Sequence, residues 1–251
     1  MQRMIGLVRR CVEDYDMIQS GDRIGVGVSG GKDSLALLMF LSELRKYNHN
    51  PFSLEAICID LGFGMDYTGI AALCERLEVP FSLVKTQIAQ VVFDYRKESN
   101  PCSMCAKMRR GALNQTLLER GLNKLALGHH YDDAVETFLM SLIYEGRISC
   151  FQPVTNLDRT GIIQIRPMLY IHEQTIDHFA ASQNLPVIHN RCPIDRRTKR
   201  EEIKQLIYEL GARYPELKER VFGAMQRYPM PGWESKGRYN RPKDTIETKD
   251  I

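Results

Sequence analysis

Apolar positions follow a repeating strand-then-helix pattern in the first half of the chain. An apolar strand at residues 24–28 precedes an apolar helix at 35–41. A second, almost entirely apolar strand covers 54–59, helical spacing follows at 70–77, and a third strand covers 81–84. Strands made only of apolar residues are typical of parallel sheets that are buried on both faces. The pattern therefore predicts an α/β fold with a doubly wound parallel sheet.

The sequence also predicts the structure of the two ends of the chain, from helical spacing at the N-terminus and from composition at the C-terminus. Apolar residues recur with helical period over 4–18, and Gly21 ends the pattern, so residues 1–20 are predicted to form a helix packed on the core. Residues 21–227 are predicted to form the main domain. The tail at 228–251 is rich in Pro, Gly and charge, which favours loose order. Further strands are predicted at 125–127 and 162–165, and further helices at 173–182 and 200–210.

A glycine-rich turn joins the first strand to the first apolar helix. Amide groups at a helix N-terminus and the helix dipole favour an anion, so this turn can hold a polyphosphate while Lys32 adds a point charge. The dinucleotide pattern G-x-G-x-x-G also matches, but Gly25 and Gly27 fall inside the strand. A P-loop needs Ser or Thr after the lysine, where this chain has Asp33. An ordinary tight turn remains an alternative. The turn reads Ser29-Gly30-Gly31-Lys32-Asp33-Ser34.

Polar residues follow two other predicted strands at their carboxyl ends. Asp60 ends the second strand, and Gly128, His129, Asp132 and Asp133 follow the strand at 125–127. The carboxyl ends of parallel strands share one edge, where open α/β sheets bind ligands. Asp60 therefore suits a ribose or magnesium role, or a simple loop start. The histidine and the two later carboxylates suit magnesium and phosphate, although Asp132 is also a natural helix N-cap.

The seven cysteines predict reduced thiols or metal ligands rather than a disulfide framework. Cys102 and Cys105 are three residues apart at the start of a basic helix, so they share a face and can bind one metal, and the helix N-terminus stabilises thiolates. A redox dithiol fits the same spacing. A zinc site also fits, because His189 and Cys192 could complete a Cys₃His set. The others lie in apolar settings typical of core residues: Cys11, Cys58, Cys74 and Cys150.

Composition adds limits on class and location. With 251 residues, 43% hydrophobic and 26% charged, the chain can form one large α/β domain with appendages or two small domains. The net charge of +3 requires any nucleic-acid surface to be a local patch. No apolar run approaches membrane-spanning length, and the N-terminus lacks the apolar core of a signal peptide. We therefore expect a cytoplasmic protein with no membrane association.

The motifs, taken in order, resemble those of one enzyme group. The glycine turn resembles the pyrophosphatase loop (PP-loop) of the ATP pyrophosphatase superfamily. It is followed by N-P-C-x-x-C at 100–105, L-G-H-H-x-D-D-x-x-E-T at 127–137, I-R-P at 165–167 and a late Cys-Pro at 192–193. This ordered set is similar to the tRNA 2-thiocytidine synthetase family over residues 1–227. It is far more specific than any single motif.

The resemblance implies an adenine-nucleotide α-hydrolase-like PP-loop fold with helical additions, and an ATP-dependent tRNA sulfurtransferase. ATP with Mg²⁺ would be cleaved between its α and β phosphates to adenylate a base carbonyl, cytidine by resemblance, and sulfur would then replace the oxygen. A 4Fe–4S cluster, with one iron free of protein ligands, is implied on Cys102, Cys105 and Cys192. The implied catalytic residues are Asp33, Lys32, Cys102 and Cys105. The implied nucleotide-site residues are Ser29, Gly30, Gly31, Lys32, Asp33, Ser34, Asp60, Gly128, His129, Asp132 and Asp133.

The resemblance also implies partners. These are tRNA, a second copy of the chain in a homodimer, and a sulfur donor such as a cysteine desulfurase or free sulfide. Arg109 and Arg110 suit tRNA phosphate or the charge that develops on pyrophosphate. Two other functions stay open at this point. One is a PP-loop thiolase or ligase acting on another base or a small metabolite, and the other is a non-catalytic, ATP-binding iron–sulfur redox sensor.

Overall fold

The computed structural model describes residues 1–95, 101–188, 199–228 and 230–234. Cys192, His189, residue 229 and the tail at 235–251 lie outside the described residues. The strands are β1 Asp22–Gly27, β2 Phe52–Asp60, β3 Phe81–Lys85, β4 Lys124–Ala126, β5 Val154–Leu157 and β6 Ile162–Ile165. The helices are α1 Gln2–Asp14, α2 Lys32–Leu44, α3 Thr68–Arg76, α4 Ile88–Gln90 with a π-helical turn at Val91–Tyr95, α5 Pro101–Glu119, α6 Tyr131–Glu145, α7 Glu173–Ser182, α8 Lys199–Arg213 and α9 Leu217–Arg227.

The six strands form one sheet in the order β3-β2-β1-β4-β6-β5. All neighbouring pairs are parallel except β5 with β6, which is antiparallel. The chain winds outward from β1 to β3 on one side and from β4 to β6 on the other. The direction of winding therefore reverses between β1 and β4, and this switch point is where such sheets bind ligands. The predicted doubly wound parallel sheet is confirmed.

Strand β1 is buried on both faces, and its two faces carry different residues. Ile24 and Val26 are fully buried in the larger hydrophobic core. Gly25 and Gly27 face the opposite helix layer, where a Cβ at Gly25 would collide with Leu117 of α5. The two glycines therefore allow α5 to pack closely on the strand. This packing explains the G-x-G spacing without a dinucleotide fingerprint.

Helix α5 runs antiparallel to β1. Leu117 lies against Gly25, while Leu113 lies 3.6 Å from the Cβ position of Gly27, so the helix N-terminus points toward the carboxyl end of the strand. Cys105 precedes Leu113 by eight residues, which is about 12 Å of helix at 1.5 Å per residue. The cysteine pair at the start of α5 therefore lies toward the sheet edge that carries the glycine turn.

The larger core lies on the other face of the sheet and includes buried residues of α1, α2, α6 and α7, among other helices. Val8 and Cys11 of α1 are fully buried, and α2 packs against α7 through Phe40 and Phe179, whose ring centroids are 4.7 Å apart. α6 also contributes to this core, for example through Val135. Within the described part of the chain, no helix combines the length and apolar character needed to cross a bilayer.

The structure also describes residues 230–234, beyond α9. Trp233, which the sequence places in a loosely ordered tail, is fully buried. Its indole packs edge-on against Tyr15 and Phe222, and its Nε1–H donates to the Phe151 carbonyl oxygen at 3.0 Å. Burial of the large indole ring, with its N–H hydrogen-bonded, stabilises this segment by more than the conformational entropy that a free tail would keep. Strand β5 and helix α9 were also not predicted from the sequence pattern.

Candidate active site

The PP-loop, Ser29 to Ser34, lies directly after β1 at the switch point. Gly30 has φ of +86°, and Gly31 is the N-cap of α2. The Ser34 hydroxyl accepts from the Ser29 amide at 3.1 Å and donates to the Gly31 carbonyl at 2.9 Å, and the Ile188 amide donates to the Gly30 carbonyl at 2.9 Å. These bonds hold the turn open in front of the first amides of α2, which have no intrahelical acceptor. Amides in this position can bind an anion.

The loop lysine is surrounded by carboxylates. Lys32 Nζ lies 3.0 Å from Asp33 Oδ1, 3.1 Å from Glu173 Oε1 and 3.0 Å from Asp177 Oδ1. Partial burial acts to lower the pKa of Lys32, but these carboxylates outweigh it and raise the pKa above its ordinary value. Lys32 is therefore fully charged at neutral pH and is held by the N-terminal turns of α7.

Helix α8 adds two cations that the sequence did not single out. Lys204 Nζ lies 3.2 Å from Oε1 and 3.1 Å from Oε2 of Glu173. Arg200 donates to Asp133 Oδ1 at 3.1 Å and to Glu136 Oε2 at 2.8 Å. In the sequence these residues are indistinguishable from a solvated basic helix face. Only packing of α8 on α6 brings them to the loop.

Together these groups form what we call the charge cluster. Glu136 is almost fully buried, and burial raises its pKa even though Lys204 and Arg200 oppose the shift. Within the described residues the cluster has three cations and five carboxylates, a formal charge of −2. A polyphosphate entering it would meet an excess of negative charge. Its members are Lys32, Arg200, Lys204, Asp33, Asp133, Glu136, Glu173 and Asp177.

The end of β4 contacts the loop directly. A Cβ at Gly128 would lie 3.1 Å from the Asp33 carbonyl carbon and 3.1 Å from the Ser34 amide nitrogen. Such a distance to backbone is tighter than an ordinary contact, so any side chain here would push the strand end off the loop. Glycine at this position lets the two predicted segments meet.

Helix α6 begins at Tyr131, two residues earlier than it would if Asp132 were its N-cap. His130 is the N-cap: its Nδ1 accepts from the Asp133 amide at 3.4 Å, and its own amide donates to Asp133 Oδ2 at 3.0 Å, which closes a capping box. The N-cap expectation for Asp132 is therefore wrong. The buried Asp132 carboxylate instead accepts from the Glu173 amide at 2.7 Å and from Lys218 Nζ, joining α6 to α7 and α9.

His129 is held by a buried arginine. Arg166 Nε donates to His129 Nδ1 at 3.2 Å, and the imidazole stacks on Phe151 with centroids 4.8 Å apart. Burial and the Arg166 charge lower the pKa of His129 to about 4. The imidazole is therefore neutral near pH 7. Because Nδ1 is the acceptor, the proton is assigned to Nε2, which leaves a hydrogen-bond donor at that atom.

Asp60 lies at the end of β2 on the same sheet edge. Its Oδ1 accepts from the Gly62 amide at 2.9 Å and from the Tyr67 hydroxyl at 3.2 Å. Gly62 has φ of +91°, so the carboxylate caps a sharp turn. Asp60 thus makes the contacts expected of a loop-start residue, at the edge that also carries the PP-loop.

The cysteine pair lies in the first two turns of α5, which begins at Pro101. Cys102 is exposed and Cys105 is half-buried, and no disulfide joins either to another described cysteine. Among the described residues, no three His, Cys, Asp or Glu side chains are grouped closely enough to hold a metal ion. The third predicted ligand, Cys192, lies outside these residues, four positions after Ile188.

Cys150 lies near the site but is not a reactive thiol. Its Sγ donates to the Ala134 carbonyl at 3.5 Å, and burial raises the pKa of Cys150 to about 12. It therefore stays protonated at neutral pH and is a weak nucleophile.

A cleft of about 570 Å³ opens on one side of the PP-loop, next to the end of α7. Its volume falls in the range of small-molecule sites. It is lined by Gly31, Lys32, Asp33, Ala180, Ala181, Asn184, Leu185 and Val187.

Comparison with known proteins identifies the family. Residues 6–210 match the sequence profile of a protein family that is described as a PP-loop domain. The tRNA-cytidine(32) 2-sulfurtransferase of Pelobacter propionicus is 37% identical over 229 residues, covering 89% of this chain and 85% of that protein. The enzyme of the same name from Coxiella burnetii is 32% identical over 231 residues, covering 89% of each.

A solved structure is also similar. The U34-tRNA thiolase NcsA from Methanococcus maripaludis, solved with its 4Fe–4S cluster, matches with a TM-score of 0.71 and 25% identity, covering 86% of this chain and 75% of that one. The resemblance inferred from the motifs is confirmed. The chain belongs to the PP-loop family and, within it, to the family of the tRNA-cytidine(32) 2-sulfurtransferases.

Proposed function

We propose that this protein is an ATP-dependent tRNA sulfurtransferase that adenylates a cytidine carbonyl and replaces its oxygen with sulfur. The observation that carries the proposal is the meeting of two features at one sheet edge. The PP-loop follows β1 there, and the antiparallel course of α5 directs Cys102 and Cys105 toward the same edge. Membership of the sulfurtransferase family supports the same substrate class.

The first half of the reaction uses the loop and its lysine. The outer phosphates of ATP would accept from the first amides of α2, and Lys32 would exchange a carboxylate partner for a phosphate oxygen. The carbonyl oxygen of the base attacks the α-phosphorus, the bond from that phosphorus to the bridging oxygen breaks, and pyrophosphate leaves. Fixed amides and ammonium groups stabilise the charge that develops on the leaving group.

Mg²⁺ is part of the proposal because of the charge balance. The charge cluster has a formal charge of −2 within the described residues, so an anionic polyphosphate needs a divalent cation there. Carboxylate oxygens are the protein ligands that Mg²⁺ prefers. Asp33 and Asp133, whose carboxylate oxygens lie 4.0 Å and 3.4 Å from the same His130 Nε2, are the candidate ligands.

In the second half of the reaction sulfide would add to the adenylated carbon, and AMP would leave with the former carbonyl oxygen, so this half needs a sulfur carrier. Cys102 and Cys105 fit as cluster ligands because they are accessible, share a helix face and lie at a helix N-terminus, which stabilises thiolates. Cys192 would be the third ligand. Cys192 comes four residues after Ile188, whose amide donates a hydrogen bond to the Gly30 carbonyl. Four residues span at most about 14 Å, so Cys192 lies within that reach of Ile188. A 4Fe–4S cluster held by three cysteines supplies one iron that can carry sulfide.

Three further parts of the proposal do not depend on the geometry of the site. We infer a homodimer, a cytoplasmic site of action, and a sulfur donor that is either a cysteine desulfurase or free sulfide. Size-exclusion chromatography with light scattering tests the first. Sulfide dependence of thiolation by the purified enzyme tests the last.

The substrate is tested by mass spectrometry of tRNA nucleosides from cells with and without the gene. We expect one 2-thiocytidine to disappear and to return with the wild-type gene but not with Cys105→Ser. Cys150→Ser is the matched control, and it should restore thiolation because that thiol is buried and protonated. Unchanged thionucleosides in the deletion strain would reject a tRNA substrate and leave another base or a small metabolite.

The cofactor is tested on the purified protein after anaerobic reconstitution. We expect a brown protein with visible iron–sulfur absorption and close to four irons per chain, by the cluster's stoichiometry. A colourless protein that binds one zinc would contradict the cluster and favour a Cys₃His site. Release of AMP and pyrophosphate in the presence of tRNA separates the enzyme from an ATP-binding redox sensor, which would bind ATP without turnover.

A further inference from the structure

We propose that Lys204 of α8 is a second phosphate-binding residue of this site, and that Glu173 occupies the position of a phosphate oxygen until a polyphosphate binds. The proposal rests on the proposed use of ATP and goes beyond it. It assigns part of polyphosphate recognition to a helix far along the chain from the PP-loop.

The two ammonium groups share one carboxylate oxygen. Glu173 Oε1 lies 3.1 Å from Lys32 Nζ and 3.2 Å from Lys204 Nζ, so the two nitrogen atoms are no further apart than about 6.3 Å. Two cations on one oxygen is the arrangement expected around a bound phosphate. All three side chains are about one third exposed, so a ligand from solvent can reach them.

The remaining contacts separate a ligand role from a purely structural one. Helix α8 is already fixed to α6 by Arg200, which donates to Asp133 and Glu136 at 3.1 and 2.8 Å. Lys204 lies further from Glu136, at 3.7 Å. Lys204 can therefore exchange Glu173 for a phosphate oxygen while α8 stays docked through Arg200.

The geometry also suggests which part of the nucleotide Lys204 binds. Lys32 belongs to the loop that cradles the outer phosphates, and Lys204 faces Lys32 across Glu173. The extra charge would therefore act on the β and γ phosphates and on departing pyrophosphate rather than on the adenosine end. AMP, which lacks those phosphates, should not depend on Lys204.

The test measures equilibrium binding of α,β-methylene-ATP, inorganic pyrophosphate and AMP by calorimetry at fixed Mg²⁺. For Lys204→Met we expect at least tenfold weaker binding of the first two ligands, with AMP within twofold of wild type. Lys204→Arg should restore most of the affinity. Lys199→Met is the matched control: Lys199 lies on the same helix over the Tyr144 ring, outside the charge cluster, and its loss should change nothing.

For a second variant, Glu173→Gln, we expect pyrophosphate affinity to change in the opposite direction. Glu173→Gln removes the negative charge that competes with phosphate, so pyrophosphate should bind several-fold more tightly. If Glu173 and Lys204 only joined α7 to α8, both variants would lower the melting temperature and leave the preference for pyrophosphate over AMP unchanged. That result would overturn the inference.

The failure of this inference is distinguishable from failure of the proposed function. If wild-type protein binds no α,β-methylene-ATP, the use of ATP itself is wrong. If wild type binds it and Lys204→Met binds it equally well, ATP use stands and only the role of Lys204 is rejected.

Discussion

Gly30 combines two constraints at the residue scale. Its φ of +86° strains any residue with a Cβ, and the new Cβ would also lie 3.1 Å from the Ile188 Cβ. Gly21 has nearly the same φ, +84°, with no atom within 4 Å of its Cβ position. Each Gly→Ala change should cost about 1–2 kcal/mol from backbone strain. Gly30→Ala should cost more, by the crowding against Ile188.

Urea unfolding of the two alanine variants measures this difference. Binding of α,β-methylene-ATP gives a second readout, which we expect Gly30→Ala to lose and Gly21→Ala to keep. Equal unfolding free energies for the two variants would show that the Ile188 side chain moves aside without loss of stability. The positive φ would then be the whole cause of the destabilisation.

His129 gives a prediction on pH. The pKa of its imidazole is about 4 in the folded protein and 6.5 in its ordinary state. Between about pH 6.5 and pH 4, the His129 imidazole is protonated in the unfolded chain but stays neutral in the folded protein. The free energy of unfolding therefore falls as the pH falls through this interval, by up to about 1.4 kcal/mol per pH unit.

His129→Gln removes this titration, so its free energy of unfolding should fall less between pH 7 and pH 5 than that of wild type. Urea denaturation at both values measures the difference. The control is His178→Gln, which removes a solvent-exposed imidazole of α7 instead. If the two variants behave alike, His129 is not the residue that carries the effect.

At the scale of elements, a buried ion pair joins β1 to β4 at the edge opposite the site. Lys124 Nζ lies 2.6 Å from Asp22 Oδ2, both side chains are nearly inaccessible, and the Lys124 ammonium also donates to the Met17 carbonyl at 2.8 Å. Lys124→Met leaves the Asp22 charge buried without its cation. We expect a loss of about 3–5 kcal/mol in unfolding free energy.

The double variant Lys124→Met with Asp22→Asn tests whether the uncompensated charge is the cause. It should recover part of the stability, because no buried charge remains. Both proteins should bind α,β-methylene-ATP normally once folded, since the pair is at the far edge of the sheet. A double variant less stable than the single one would contradict this explanation.

At the scale of the whole molecule, Trp233 joins distant parts of the chain. Its ring contacts Tyr15 from the N-terminal region and Phe222 from α9, and its N–H bonds to Phe151. Trp233→Ala should therefore cost about 3–5 kcal/mol, measured by circular dichroism during urea unfolding. Trp233→Phe, which keeps a ring, should cost clearly less. A loss below about 1 kcal/mol for the alanine variant would mean that the C-terminal segment adds little to the fold.

Most of the regular elements follow from local pattern, and those that do not have a physical reason. Strand β6 and helix α7 have the bounds that the spacing predicts, since their apolar period is regular. Strand β5 was missed because it is a half-exposed edge strand. Helix α9 was missed although Leu217, Val221, Phe222 and Met225 stand at helical spacing, a pattern from which it could have been predicted. The capping box at His130 was missed because histidine is not among the usual N-cap residues.

The sequence by itself determined the alternating fold, the PP-loop and the gathering of polar residues at one sheet edge. These depend on periodicity, on glycines at sharp turns and on the common direction of parallel strands, which are all local properties. Only the tertiary structure decided which charges surround Lys32. Glu173 is 141 residues away along the chain, and Lys204 lies further still. No local pattern records such a contact, because it depends on how α7 and α8 pack over the finished sheet.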